Sequence, residues 1–246
     1  MESAGLTSPP TSERSDSQES ERLAWLALLP ALTTGLYYTL PPRLQNLPAI
    51  LFLPQALAYL GMAIWATQNT AIPKRLGLML HQLSQGLRWG LGTGLILGFL
   101  NVSVILWLVP LLDGDINFLR ETLHARLPVV VMLPWAIFII AVAVALNFRG
   151  FLLGRLLTLC QSAQLGRYTR IGPALAPAFA IGGASTVFAF DPFMVATFKH
   201  LHWIAIWDGI IWGAIWVRFR NLYATIVAHA VEVMIMYTII KIALET

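Results

Sequence analysis

Seven apolar stretches, each near the length of a bilayer crossing, fill this chain from residue 23 almost to its end. They cover 23–40, 47–66, 87–112, 127–146, 171–190, 193–217 and 222–244. A helix needs about 20 apolar residues to cross about 30 Å of hydrocarbon. The expected fold is therefore all-α: a multi-pass membrane bundle of about seven helices, with six to eight allowed by the same pattern. Composition agrees. Hydrophobic residues make up 57% and charged residues 11%, against about 25% charged in an ordinary soluble domain. Mean hydropathy is +0.70. A secreted disulfide scaffold, a disordered chain and a typical soluble enzyme are excluded, and the one cysteine, Cys160, has no partner for an internal disulfide.

Residues 1–22 are different material. Five acids (Glu2, Glu13, Asp16, Glu19, Glu21) stand against two arginines (Arg14, Arg22), with Ser, Thr and Pro between them. Such a segment buries too little surface to offset its chain entropy, so a disordered acidic tail is expected, with residues 23–246 as the transmembrane domain. A signal peptide is not expected, because there is no basic n-region and no clear small-residue cleavage site. Pro41-Pro42 should close the first helix. Pro73 should break the chain after the second. Between Lys74 and Gly86, Leu76, Leu80 and Leu83 oppose Lys74, Gln82 and Gln85, which predicts a short helix lying in the interface. The fourth helix should run past Arg149 toward Leu157. The sixth is interrupted by His200, His202 and Asp208.

Charge predicts orientation. With seven crossings, 11 of the 16 Lys and Arg fall on one side: Arg14, Arg22, Lys74, Arg75, Arg88, Arg149, Arg155, Arg167, Arg170, Arg218 and Arg220. Arg43, Arg120, Arg126, Lys199 and Lys241 fall on the other. Basic residues stay inside, so in a cell membrane the N-terminus is expected in the cytoplasm and the C-terminus outside. The net charge of +4 is thus a topology signal rather than a nucleic-acid one. Gly86, Gly90, Gly94 and Gly98 recur every four residues and should form a groove for a second helix, a device repeated by Gly209 and Gly213. No phosphate loop, dinucleotide fingerprint or other cofactor motif is present in the sequence, and no cofactor is expected.

Ionisable groups inside crossings are costly and are functional candidates by default. Here they are Arg149, His200, His202, Asp208, His229 and Glu232. His229 and Glu232 are three apart, on one helix face, where they can share a proton, bind a cation together or clamp Arg149. Arg149 can equally be a snorkelling arginine at the interface. His200 and His202 are two apart and point away from each other on a helix. Asp208 can cap or pack. A zinc site would need three or four ligands from His200, His202, His229 and Glu232 without HExxH-type spacing, and no metal is expected.

These residues sit in words that resemble a known family. Asn147-Phe148-Arg149-Gly150-Phe151-Leu152-Leu153 is similar to the Phe-Arg-Gly-Phe-Leu core of the CAAX-protease and bacteriocin-processing (CPBP, or Abi) family of multi-pass intramembrane endopeptidases. Ser185-Thr186-Val187-Phe188-Ala189-Phe190 resembles the lead-in to its middle motif. Gly209, Gly213 and Arg218, followed by Asn221-Leu222-Tyr223-Ala224-Thr225-Ile226-Val227-Ala228-His229, resemble its closing helices and terminal histidine. The resemblance covers about residues 75–240. It implies an intramembrane hydrolase acting on prenylated proteins or bacteriocin precursors.

The departures bear on activity. The family's first motif, Glu-Glu-x-x-x-Arg, would put its water-activating glutamates at 144 and 145, where Val144 and Ala145 stand. For the second, Phe-x-x-x-His, Phe198 and His202 match literally, whereas Phe188 has Pro192 four residues on. For the third, His-x-x-x-Asn or Asp, His229 has Val233 four on, with Glu232 one position early. The site residues the resemblance leaves are Arg149, His202, His229 and Glu232. Hydrolysis needs an activated water, a proton donor and oxyanion stabilisation. Glu232 would be the base, His229 its proton partner, and Arg149 or His202 the oxyanion support.

Three functions follow as expectations. The first is an inactive or rewired family member that binds a membrane protein or peptide within the bilayer. The second is an active endopeptidase using Glu232, His229 and Arg149. The third is a proton-coupled transporter relaying through His229 and Glu232, weakened by the lack of an inverted repeat.

Overall fold

The structure is a computed structural model that describes residues 21–163 and 172–245. Every regular element among these residues is helical. The principal helices are α1 (Ala24–Tyr37), α2 (Leu53–Thr67), α3 (Leu83–Ser103), α4 (Val129–Ser162), α5 (Gly172–Ala189), α6 (Pro192–Phe198), α7 (Ile204–Phe219) and α8 (Leu222–Glu245). Three apolar helical stretches have the length and composition to cross a membrane: Ile72–Leu111, which contains α3, then α4 and α8. A fourth arises if the bent pair Leu175–Ala189 and Pro192–Leu201, which turns by 55°, is one crossing.

The chain breaks largely where its sequence says it should. α1 ends before Pro41-Pro42, and Pro42 opens a short separate turn, as a residue without an N–H must. α4 continues past Arg149 to Ser162. Two expectations fail. The stretch 193–217 is not one helix: α6 stops at Phe198, Lys199 takes a positive φ of 48°, and α7 starts afresh at Ile204. The polar Lys199-His200 pair is what an uninterrupted apolar helix would have had to bury. Nor does Lys74–Gly86 form a single interfacial helix. A short helix, Ile72–Leu76, ends at Gly77 with φ +83°, and α3 begins only at Leu83. The turn is built against the start of α8. Gly77 O accepts from Leu222 N at 2.7 Å, and a Cβ on Gly77 would lie 2.7 Å from Arg220 O. Only glycine combines that φ with that approach.

The glycine groove on α3 receives α8. A Cβ added to Gly90 would lie 2.6 Å from Val227 Cβ, and one added to Gly94 would lie 2.7 Å from Ala228 O. Gly209 on α7 meets Ser185 of α5 in the same way, at 2.8 Å. Gly92, on the opposite side of α3, has open space around it. Gly90→Ala is therefore expected to cost about 1–3 kcal/mol through overpacking, while Gly92→Ala costs nothing measurable. Thermal unfolding of the two variants in detergent micelles checks this, and equal stabilities would contradict the groove.

The tail expected over 1–22 lies outside the described residues as far as residue 20. Its last acid, Glu21, is firmly held: it pairs with Arg155, with Arg75 at 3.3 Å, and accepts from Trp65 Nε1 at 2.7 Å. Those contacts tie Glu21 to α2 and α4, whose Trp65 and Phe151 rings pack 5.8 Å apart in the core.

Candidate functional site

Four helices place buried polar groups around one point. α3 contributes Asn101, α4 Arg149, α7 Asp208 and α8 both His229 and Glu232; all five are at most 8% exposed. Helical spacing explains the arrangement. Asn101 lies three residues beyond Gly98, so it continues the groove face and looks at α8. Asp208 and Trp212 are four apart on α7, and His229 and Glu232 three apart on α8. Glu232 lies ten residues into α8, about 15 Å along its axis.

The centre is a pair of acids. Asn101 Nδ2 donates to Glu232 Oε1 at 2.8 Å and reaches Asp208 Oδ1 and Oδ2 at 3.1 and 3.2 Å. Trp207 Nε1 donates to Asn101 Oδ1 at 2.9 Å, which fixes the amide with its NH2 toward the acids. One Asn101 amide reaches both acids, so the Asp208 and Glu232 carboxyls are neighbours. Two carboxyls side by side in an apolar interior cannot both ionise cheaply, which favours one shared proton and one negative charge. Arg149 supplies the balancing charge. Its guanidinium lies against the Phe188 and Trp212 rings, with Cζ 4.3 and 4.6 Å from their centroids, and makes no direct ion pair with either acid. One guanidinium and one shared-proton pair sum to zero, which is how an apolar interior tolerates three ionisable groups.

A cavity of about 480 Å³ opens beside this cluster. Asp208, Glu232, His229 and Trp212 line it, together with Val144 and Phe148 of α4 and many further apolar side chains. Several buried polar atoms here have no hydrogen-bond partner among the described residues: Arg149 Nη1 and Nη2, His229 Nδ1, Glu232 Oε2 and Trp212 Nε1. Buried donors and acceptors are rarely left unmatched, so this end of the cavity is suited to a polar group. The described residues hold no cluster of three or more His, Cys, Asp or Glu side chains able to bind a metal ion.

The expected site residues are only partly brought together. Glu232 is at the centre, but its hydrogen-bond partner is Asn101, shared with Asp208, rather than His229. His229 stacks on Trp212 instead, with ring centroids 4.6 Å apart. Arg149 is 2% exposed and wedged between aromatic rings, so the snorkelling reading is corrected. His202 lines the cavity, but its Nδ1 lies 2.6 Å from Lys199 O and its ring packs on Phe190. His200 packs on Phe118. Val144 faces the cavity, whereas Ala145 is sunk in the core at 2% exposure.

Sequence reasoning gave Asp208 too small a role and passed over two residues. Asn101 is neutral, so a screen for ionisable groups skips it; its register with the glycine groove was the available signal. Asp191 also lines the cavity. It caps α6, accepting from Phe193 N at 3.0 Å and from Gln55 Nε2 of α2 at 2.9 Å. The Asp191-Pro192 pair before an apolar run is a helix-start pattern. Comparisons with protein families, curated proteins and solved structures return no match to this chain.

Proposed function

We propose that this chain is a divergent CPBP-like integral membrane protein that holds an apolar segment of a membrane protein or peptide in its cavity without cutting it. The observation that carries this reading is Val144. It is a cavity-lining position on the same wall as Phe148, and the resemblance puts a water-activating glutamate there. A valine can neither accept a proton nor hold a water, but it extends the apolar wall. α1, α2 and the α5–α6 and α7 segments complete the crossing set around α3, α4 and α8, in a cell membrane with the N-terminus inside.

Charge placement supports that orientation. Lys74, Arg75, Arg155 and Arg220 share one pocket near the start of α8. Lys241 lies nineteen residues along α8, about 29 Å away by helical rise, and shares the far end of the large cavity with Arg120.

A second reading rests on a different observation. The Asp208 and Glu232 carboxyls stand side by side at the cavity, and paired carboxyls perform acid–base catalysis in other hydrolases. In that case the acids lost from positions 144 and 145 have been rebuilt on α7 and α8, and the protein is an active endopeptidase.

Photo-crosslinking from position 144 tests occupancy. A benzophenone side chain in place of Val144 should capture a polypeptide segment in native membranes. The same group in place of Ile139, which is 64% exposed on the same helix, should capture lipid. Identical adducts at both positions would remove the binding reading.

A further inference from the structure

A second pocket, remote from the acid pair, gathers the charges of three separate segments. Lys74 and Arg75 come from the short helix before Gly77, Arg155 from α4 and Arg220 from the link between α7 and α8; Glu21, Met79, His81, Gln82 and Thr158 complete the wall. Its volume is about 440 Å³. Among the described residues, four cations thus face one carboxylate.

The carboxylate is already committed. One oxygen of Glu21 takes Arg155 and Trp65 Nε1, and the other takes Arg75 at 3.3 Å and Thr158 Oγ1 at 3.1 Å. Arg155 is further held by Gly150 O at 3.2 Å and by the Trp65 ring, 4.2 Å from Cζ. Lys74 and Arg220 are left without an ion pair among the described residues, and both are exposed at the pocket's edge.

Arg220 is also held in an unusual backbone state. It is a non-glycine residue in the left-handed region, at φ 50° and ψ 41°, and its guanidinium rests 4.7 Å from the Trp216 ring. The surrounding contacts that keep it there are the Gly77–Leu222 bond and the Trp216 Nε1 bond to Leu76 O at 3.1 Å. Strained residues of this kind concentrate at ligand clamps.

We propose that this pocket binds a phosphate-bearing anion, with Arg220, Lys74 and the free face of Arg75 as its ligands beside the resident Glu21 carboxylate. A tetrahedral dianion or phosphodiester offers several oxygens to a fork of guanidinium donors, the pairing for which arginine is best shaped. The anion comes either from a phospholipid headgroup at the membrane surface or from a soluble phosphate.

Native mass spectrometry of the full chain released from micelles tests the site. The probes are phosphatidylglycerol, phosphatidylcholine and inorganic phosphate, each offered separately at matched concentration. Retention of phosphatidylglycerol over phosphatidylcholine is expected for the wild type if the headgroup is the source, and retention of inorganic phosphate if the source is soluble. Lys74→Gln/Arg220→Gln should lower the retained anion about tenfold, the size of one charged hydrogen bond. Arg218→Gln, which removes a neighbouring cation outside the pocket, should leave it unchanged. Retention of neither anion by a folded wild type, or equal loss in Arg218→Gln and the pocket variant, overturns the proposal.

Discussion

Replacing both central acids, in Asp208→Asn/Glu232→Gln, is expected to destabilise the protein by about 3–5 kcal/mol, although each replacement alone costs about 1 kcal/mol. The asymmetry follows from counting charge. Two adjoining carboxyls in an apolar interior are cheapest with one proton between them, which leaves one negative charge against Arg149. When one acid becomes an amide, the other ionises fully and the balance holds. When both are amides, Arg149 is a lone cation, 2% exposed, among Phe148, Phe188 and Trp212. Adding Arg149→Met to the double variant should recover most of the loss, because a buried ion set is often replaced by an apolar side chain at little cost. Equilibrium unfolding in micelles gives all four values. Additive single effects, or a triple variant no better than the double, would show that charge balance is not what the cluster provides.

The second large effect is expected at the chain start. Glu21 and Arg155 side chains are 6% and 3% exposed, and they pair directly. Glu21→Gln leaves Arg155 charged and buried beside Arg75, which should cost about 3 kcal/mol or more. Arg155→Met in the same chain should restore most of it, since the Met side chain can lie on the Trp65 ring where the guanidinium lay. The same unfolding measurement applies. If Glu21→Gln unfolds at the wild-type point, the pairing contributes nothing and the first turn of α1 is held by packing alone.

Much of the helical frame was readable from residue types. Proline pairs, glycine spacing and apolar length act locally, through lost donors, close backbone approach and bilayer thickness, so the end of α1, the α3–α8 groove and the extension of α4 follow from the sequence. The break between α6 and α7 was signalled by Lys199, His200 and His202, yet apolar length over 193–217 outweighed them. The site was less legible because its bonds are long-range. Asn101 joins Asp208 and Glu232 across 107 and 131 residues, and no local pattern states that these three converge. His229 and Glu232 shared a helix face as expected, but a shared face does not make partners. The tryptophans decided the outcome: Trp212 took His229 by stacking, and Trp207 turned Asn101 toward the acids.

We propose that the cavity holds an apolar segment and does not cut it. Membrane-protein N-termini, compared by mass spectrometry among wild-type cells, a deletion, and the deletion complemented with Glu232→Gln, address it most directly. The same set of termini in all three is the expected result. Peptide ends that appear with the wild type, vanish in the deletion and do not return with Glu232→Gln would contradict the claim and make the Asp208–Glu232 pair the acid–base centre of an endopeptidase.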